Sequence, residues 1–161
     1  MAQEGVKIDP KRVEAISHIP LASNKKEIQV FLGRINFLRR FIPNYVEIVK
    51  GITDMMKKKK EEKWSPTSQE SFARIKVAFA EAPVLVIPYY STPFYIFSFS
   101  SPHTIVVVLL QKNKEGYEQL ISFFSQVLRD VELKHNILEK HAYVIFKALK
   151  TFKVYVSQSD L

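Results

Sequence analysis

An α+β fold, a small helical bundle followed by a three-stranded antiparallel meander and one closing helix, is what this chain's amino-acid pattern predicts. Three observations lead there. Apolar residues recur with helical spacing from Ile28 to Phe79; after Pro88 the texture changes to β-branched and aromatic runs; helical spacing returns from Leu138 to Phe152. The expected division is residues 1–88 for the helices and 89–161 for the sheet and last helix. With 161 residues, 47% hydrophobic and 25% charged, the chain has the composition of an ordinary globular protein.

Taken in order, residues 1–22 form an extended lead-in with one short helical piece. Asp9-Pro10 suits a helix start and Pro20 ends what Arg12 to Ser17 begins. Asn24 followed by Glu27 looks like a capping box, and Ile28, Phe31, Leu32, Ile35 and Leu38 then line one face of a helix ending before Pro43. From Asn44 the same period in Tyr45, Ile48, Val49, Ile52, Met55 and Met56 predicts a second helix, with the methionines as core. It runs into Lys57 to Lys60, where cations complement the C-terminal dipole. A third begins near Ser65-Pro66-Thr67, turns Phe72, Ile75 and Phe79 inward, and stops at Pro83.

Strands are expected over Phe94 to Phe99, Thr104 to Gln111 and Gln119 to Ser125, separated by Ser-Ser-Pro and Lys-Asn-Lys-Glu-Gly. The aromatics Phe94, Tyr95, Phe97, Phe99, Phe123 and Phe124 are read as core builders ahead of base-stacking platforms. The last helix should lay Leu138, His141, Ala142, Ile145, Leu149 and Phe152 across the meander. His18, His103, His135 and His141 lack metal-ligand spacing, so packing is the better reading of them.

Lys and Arg total 24 against 16 Asp and Glu, a net charge of +8 that favours polyanion partners such as nucleic acid. The excess is concentrated early: 14 basic against 8 acidic residues up to Ser65, and 10 against 8 after it. Without cysteine there is no disulfide, thiolate metal site or zinc knuckle, as suits a reducing compartment. Runs such as Ile105 to Leu110 are too short to span a bilayer and the N-terminus has no signal-peptide core. The expectation is an intracellular chain with no membrane partner.

The stretch Phe31-Leu32-Gly33-Arg34-Ile35-Asn36-Phe37-Leu38-Arg39-Arg40-Phe41-Ile42-Pro43-Asn44 resembles the FLG-x-x-N-[YF]-[YL]-RRFIPN signature of Gypsy-type LTR retrotransposon Pol polyproteins. The resemblance continues through Trp64, Ala82-Pro83-Val84-Leu85, Pro93-Phe94, Leu109-Leu110-Gln111 and Leu138-Glu139-Lys140, so it covers nearly the whole chain. It implies the thumb or connection helices of a reverse transcriptase followed by the first part of a ribonuclease H-like domain. A β-β-β-α order is how that fold begins, although periodicity alone allows other α+β arrangements. The polymerase Y-x-D-D motif, fingers and palm are absent from this sequence.

The family's ribonuclease H site uses carboxylates to hold magnesium, and here the resemblance implies loss. Its first aspartate, in T-D-A-S, corresponds to Phe99 in Ser98-Phe99-Ser100-Ser101; its glutamate, in E-K-E-x-x-A, corresponds to His141. Neither side chain offers the oxygen donor that magnesium demands. Glu139 is two positions away, roughly 200° round the helix, and does not substitute. Asp160 is a weak candidate for the third acid, of a T-D-H sequence. A family glycine is replaced by Val106, which is also simply a good strand residue.

In the resembled enzymes the helical region grips the template-primer backbone, which makes Lys25, Lys26, Arg34, Arg39, Arg40, Lys57, Lys58, Lys59 and Lys60 the candidate nucleic-acid contacts. Binding of that kind to duplex or RNA–DNA hybrid is sequence-independent and salt-sensitive. The bland alternative is a solvated helix face, and Glu61-Glu62 dilute the lysine run. Three functional readings follow: a non-cleaving nucleic-acid binder without cofactor; a magnesium-dependent ribonuclease with displaced ligands; and an interaction module whose unfinished sheet pairs with another strand, including that of a second copy.

Overall fold

A short antiparallel pair, β1 (Gly5–Val6) with β2 (Leu85–Val86), ties the lead-in to the segment following the helices. The computed structural model describes residues 5–58, 63–128 and 136–158. This pairing had no sequence signal, because two-residue strands carry no periodicity. Helix α1 (Pro10–Ser17) starts where the Asp9 side chain accepts from Lys11 N at 3.0 Å and Pro10 takes the first turn.

Helix α2 (Lys25–Asn36) is capped by Asn24, whose Oδ1 accepts from Glu27 N at 3.0 Å. The Glu27 carboxylate accepts from Ser23 N at 2.7 Å, so the expected capping box closes one residue early. The helix also ends sooner than its apolar stripe suggests. After Asn36 the backbone tightens into i→i+3 bonds and a 3₁₀ turn over Arg39–Phe41, then extends at Ile42 ahead of Pro43. Leu38, Phe41 and Ile42 are nevertheless buried. Asn44 follows in the left-handed region at φ 50°, and its Oδ1 is buried with no protein partner among the described residues.

The predicted second helix is two, α3 (Tyr45–Ile48) and α4 (Lys50–Lys57), broken at Val49. Helix α5 (Pro66–Ala80) is capped by Ser65 and turns Phe72, Ile75 and Phe79 inward as expected. Gly51 of α4 lies against α5: its N–H donates to Ser71 Oγ at 3.2 Å, and a Cβ there would stand 2.7 Å from the Thr67 carbonyl oxygen. Glycine permits that close approach. Ile28, Phe31, Ile35, Ile52, Phe72, Ile75 and Phe79 fill the core of this helical half, where Met55 is buried and Met56 partly so.

Strands β3 (Phe94–Ser100), β4 (Thr104–Lys112) and β5 (Glu118–Val127) form an antiparallel sheet in that order, with a register shift at Leu109/Leu110. Gly116, at φ 86°, makes the β4–β5 turn. Val106 sits between Phe99 and Ser125 as an ordinary half-buried strand residue. Helix α6 (Ile137–Thr151) begins with an Asn136/Glu139 capping box and packs across β3 and β4; α7 (Lys153–Val156) follows.

Two expectations are corrected here. The α6 face against the sheet is Val144, Ala148 and Phe152, with Leu138, His141, Ala142, Ile145 and Leu149 exposed. Apolar residues wrap more than one stripe of this helix, and the stripe of Val144, Ala148 and Phe152 is the one that clusters with Ile105, Val107 and Leu109 of the sheet. In β3, Tyr95, Phe97 and Phe99 are exposed instead of forming core. Alternate strand residues point to opposite faces, and α6 covers only the face of Ile105, Val107 and Leu109.

The halves meet at β5. The Arg39 guanidinium donates to the Ser125 carbonyl at 2.5 Å, and Val46 N donates to Ser125 Oγ at 3.2 Å.

Candidate nucleic-acid interface and the acid positions

Seven of the nine candidate cations fall among the described residues; Lys59 and Lys60 lie outside them. Six of them differ in what their charge already touches. Lys26, Arg34 and Arg40 are exposed, and Arg40 stands over the Phe41 ring at 5.1 Å. Lys25 Nζ donates to the Lys58 carbonyl, joining the start of α2 to the end of α4, and Lys57 Nζ pairs with Asp54 at 2.9 Å.

Arg39 is different in kind. Besides its bond to Ser125, its guanidinium lies 5.6 Å from the Tyr45 ring centre and 5.7 Å from that of Phe124. Burial pushes the Tyr45 phenol up from 10.0 to about 12, with the Arg39 charge pulling the other way. Arg39 therefore joins helices to sheet, and its side chain is committed to protein contacts. On the far side, Lys76 Nζ bridges the Ser17 and Ile19 carbonyls at 2.9 and 2.5 Å, where partial burial lowers its pKa.

The positions implied for the family's acids are both on the surface. Phe99 is 63% exposed on β3, on the sheet face that α6 leaves uncovered. His141 is exposed in the first half of α6, contrary to the expected packing role. Glu139 is held in the cap, its carboxylate accepting from Asn136 N at 3.0 Å. Asp160 and His135 lie outside the described residues. Among the described residues no group of three His, Cys, Asp or Glu side chains is placed to hold a metal. A phenyl ring and an imidazole do not match magnesium's oxygen preference, so the side chains at these two positions do not fit that ion. No described helix is long and apolar enough to cross a membrane.

One constellation escaped the sequence. Lys7 from the lead-in, Arg12 of α1 and Arg40 of the 3₁₀ turn line a groove of about 390 Å³ with Phe37 and Phe41. Lys7 and Arg12 belong to no recognisable motif, whereas Phe37 and Arg40 lie within the signature stretch, and only the docking of α1 beside the end of α2 brings the four together.

Residues 64–161 match the RNase H-like domain found in reverse transcriptase. Over 154 residues, 95% of this chain, the sequence is 34% identical to the retrovirus-related Pol polyprotein from transposon 297 of Drosophila melanogaster, of which it spans 14%. It is 28% identical over 164 residues to the corresponding polyprotein from transposon opus, of which it spans 16%. The Tf2-3 polyprotein of Schizosaccharomyces pombe is 27% identical over 136 residues, 84% of this chain and 10% of its own length. Among solved structures, the foamy viral protease-reverse transcriptase in complex with double-stranded DNA superposes over 92% of this chain and 31% of its own, with TM-score 0.82 and 26% identity. The same viral protein in complex with RNA/DNA hybrid gives 0.79 and 27%, over 92% of this chain and 20% of its own.

Proposed function

Since this chain belongs to the family of RNase H-like domains found in reverse transcriptases, carried within retrotransposon Pol polyproteins, we propose that it holds the backbone of a duplex or RNA–DNA hybrid without cleaving it. Residues 1–88 supply the cations and residues 89–161 the platform they are fixed to. The observation that carries the reading is exposed positive charge: the chain's net charge is +8, and 14 of its 24 Lys and Arg residues precede Pro66. Lys26, Arg34 and Arg40 face solvent on the same half. The foamy viral proteins solved with double-stranded DNA and with RNA/DNA hybrid support it as structural neighbours.

The absence of cleavage follows from Phe99 and His141 at the implied acid positions, because a two-metal mechanism needs bridging carboxylates. The competing reading is a magnesium-dependent ribonuclease with displaced ligands. Fluorescence anisotropy with duplex and hybrid oligonucleotides, alongside a cleavage assay with and without chelator, tests both. Expected are binding indifferent to base sequence, affinity falling steeply with salt, and no cleavage. Phe99→Asp with His141→Glu should still give little activity. Robust, chelator-sensitive cleavage by the unmodified chain would sink the proposal.

A second reading, self-association, is favoured by one specific observation. Strand β3 pairs only with β4 among the described residues, and its seven residues carry no charge to deter another strand.

A further inference from the structure

The groove between α1 and the end of α2 has a construction suited to more than backbone phosphates. Its two arginines each stand over an aromatic ring: Arg12 lies 4.6 Å from the Phe37 centroid, and Arg40 5.1 Å from that of Phe41. Lys7 stands exposed at the rim. Phe41 is buried and forms floor, whereas Phe37 is 52% exposed. The one acid in the lining, Asp9, accepts from Lys11 N at 3.0 Å and serves as the α1 cap.

A guanidinium laid over a ring is held with its plane fixed while its edge N–H groups stay available to an oxyanion. The half of Phe37 that stays in water is apolar surface that a flat ring can stack on. A nucleotide meets both conditions, with a base for the ring and a phosphate for the cations. An acidic peptide would satisfy the cations and leave the ring without a partner. Paired bases inside a duplex present no free face, so the strand must be unpaired.

We infer that Lys7, Arg12, Phe37 and Arg40 form a site for an unpaired nucleotide, with a base stacked on Phe37 and its flanking phosphates on the three cations. The inference rests on the proposed nucleic-acid binding and adds what that reading lacks, a preference for single-stranded segments.

The test compares one oligonucleotide, single-stranded, with the same sequence as a blunt duplex, by fluorescence anisotropy at low salt. Wild type should bind the single strand. Phe37→Leu, which keeps an apolar side chain at a half-exposed position, should weaken that binding about tenfold and leave the duplex nearly unchanged. Lys7→Glu, on the exposed rim, should also weaken the single strand more than the duplex, with thermal melting confirming that both variants fold. Equal affinities of wild type and Phe37→Leu for the single strand would overturn the site. So would an equal loss on both probes, or a wild type that binds duplex alone, and each of these leaves the backbone-binding reading standing. A wild type that binds neither probe overturns both.

Discussion

Arg39 and Arg40 are neighbours in sequence with opposite duties. Arg39 donates to the Ser125 carbonyl between the Tyr45 and Phe124 rings, while Arg40 is exposed over Phe41. Losing a charged hydrogen bond at a part-buried joint costs about 1.5–3 kcal/mol, so Arg39→Ala should lower unfolding stability by that order in urea titrations. Arg40→Ala should stay within about 0.5 kcal/mol and weaken nucleic-acid binding instead. Tyr45 makes the same joint sensitive to alkali. Its folded pKa of about 12 lies above the ordinary 10.0, so the folded state holds the proton more tightly than the unfolded chain. The stability this brings is complete below pH 10.0 and is lost as pH rises towards 12, by about 1.4 kcal/mol per unit across that window. Tyr45→Phe should flatten that decline in denaturation curves taken on either side of the window; parallel losses in both proteins would refute the assignment.

Among the helices, two glycines separate crossing geometry from helix propensity. At Gly51 a Cβ would crowd the Thr67 carbonyl, so Gly51→Ala should destabilise by about 1–3 kcal/mol. At Gly33, on α2, nothing lies within 4 Å, and Gly33→Ala should stabilise by roughly 0.5–1 kcal/mol. Thermal melting of the two variants should move in opposite directions. For the sheet, β3 offers an uncharged edge with Tyr95, Phe97 and Phe99 on its exposed face. If copies associate through that edge, Phe97→Lys should shift size-exclusion elution to monomer at concentrations where wild type is larger, because a charge at mid-strand opposes pairing. A monomeric wild type over a wide concentration range would refute it. Helix α6 shows why this element was only partly legible. Its type was legible in the helical period, but Leu138, Ile145 and Leu149 are as apolar as Val144 and Ala148, so the period could not select the stripe that packs, and the cap at Asn136 was seen only in the structure.

For the whole molecule, the distribution of charge decides the binding prediction. Charge reversal at Lys26, Arg34 and Arg40 should weaken duplex affinity far more than reversal at Lys147, Lys150 and Lys153 of α6 and α7, measured by anisotropy at two salt concentrations. Equal losses would mean general polyanion attraction and no localised surface. The sequence by itself determined ancestry, the α+β order of elements, most core residues and the +8 balance, because helical and strand periods, caps and prolines act over neighbouring residues. The tertiary structure decided which cations are available: Arg39 turned inward to Ser125, and Lys7, Arg12 and Arg40 gathered around Phe37. It also decided which side of α6 and of β3 meets the core. These outcomes depend on packing between residues up to 86 positions apart, as in the Arg39–Ser125 bond, and local pattern carries no information about partners at that distance.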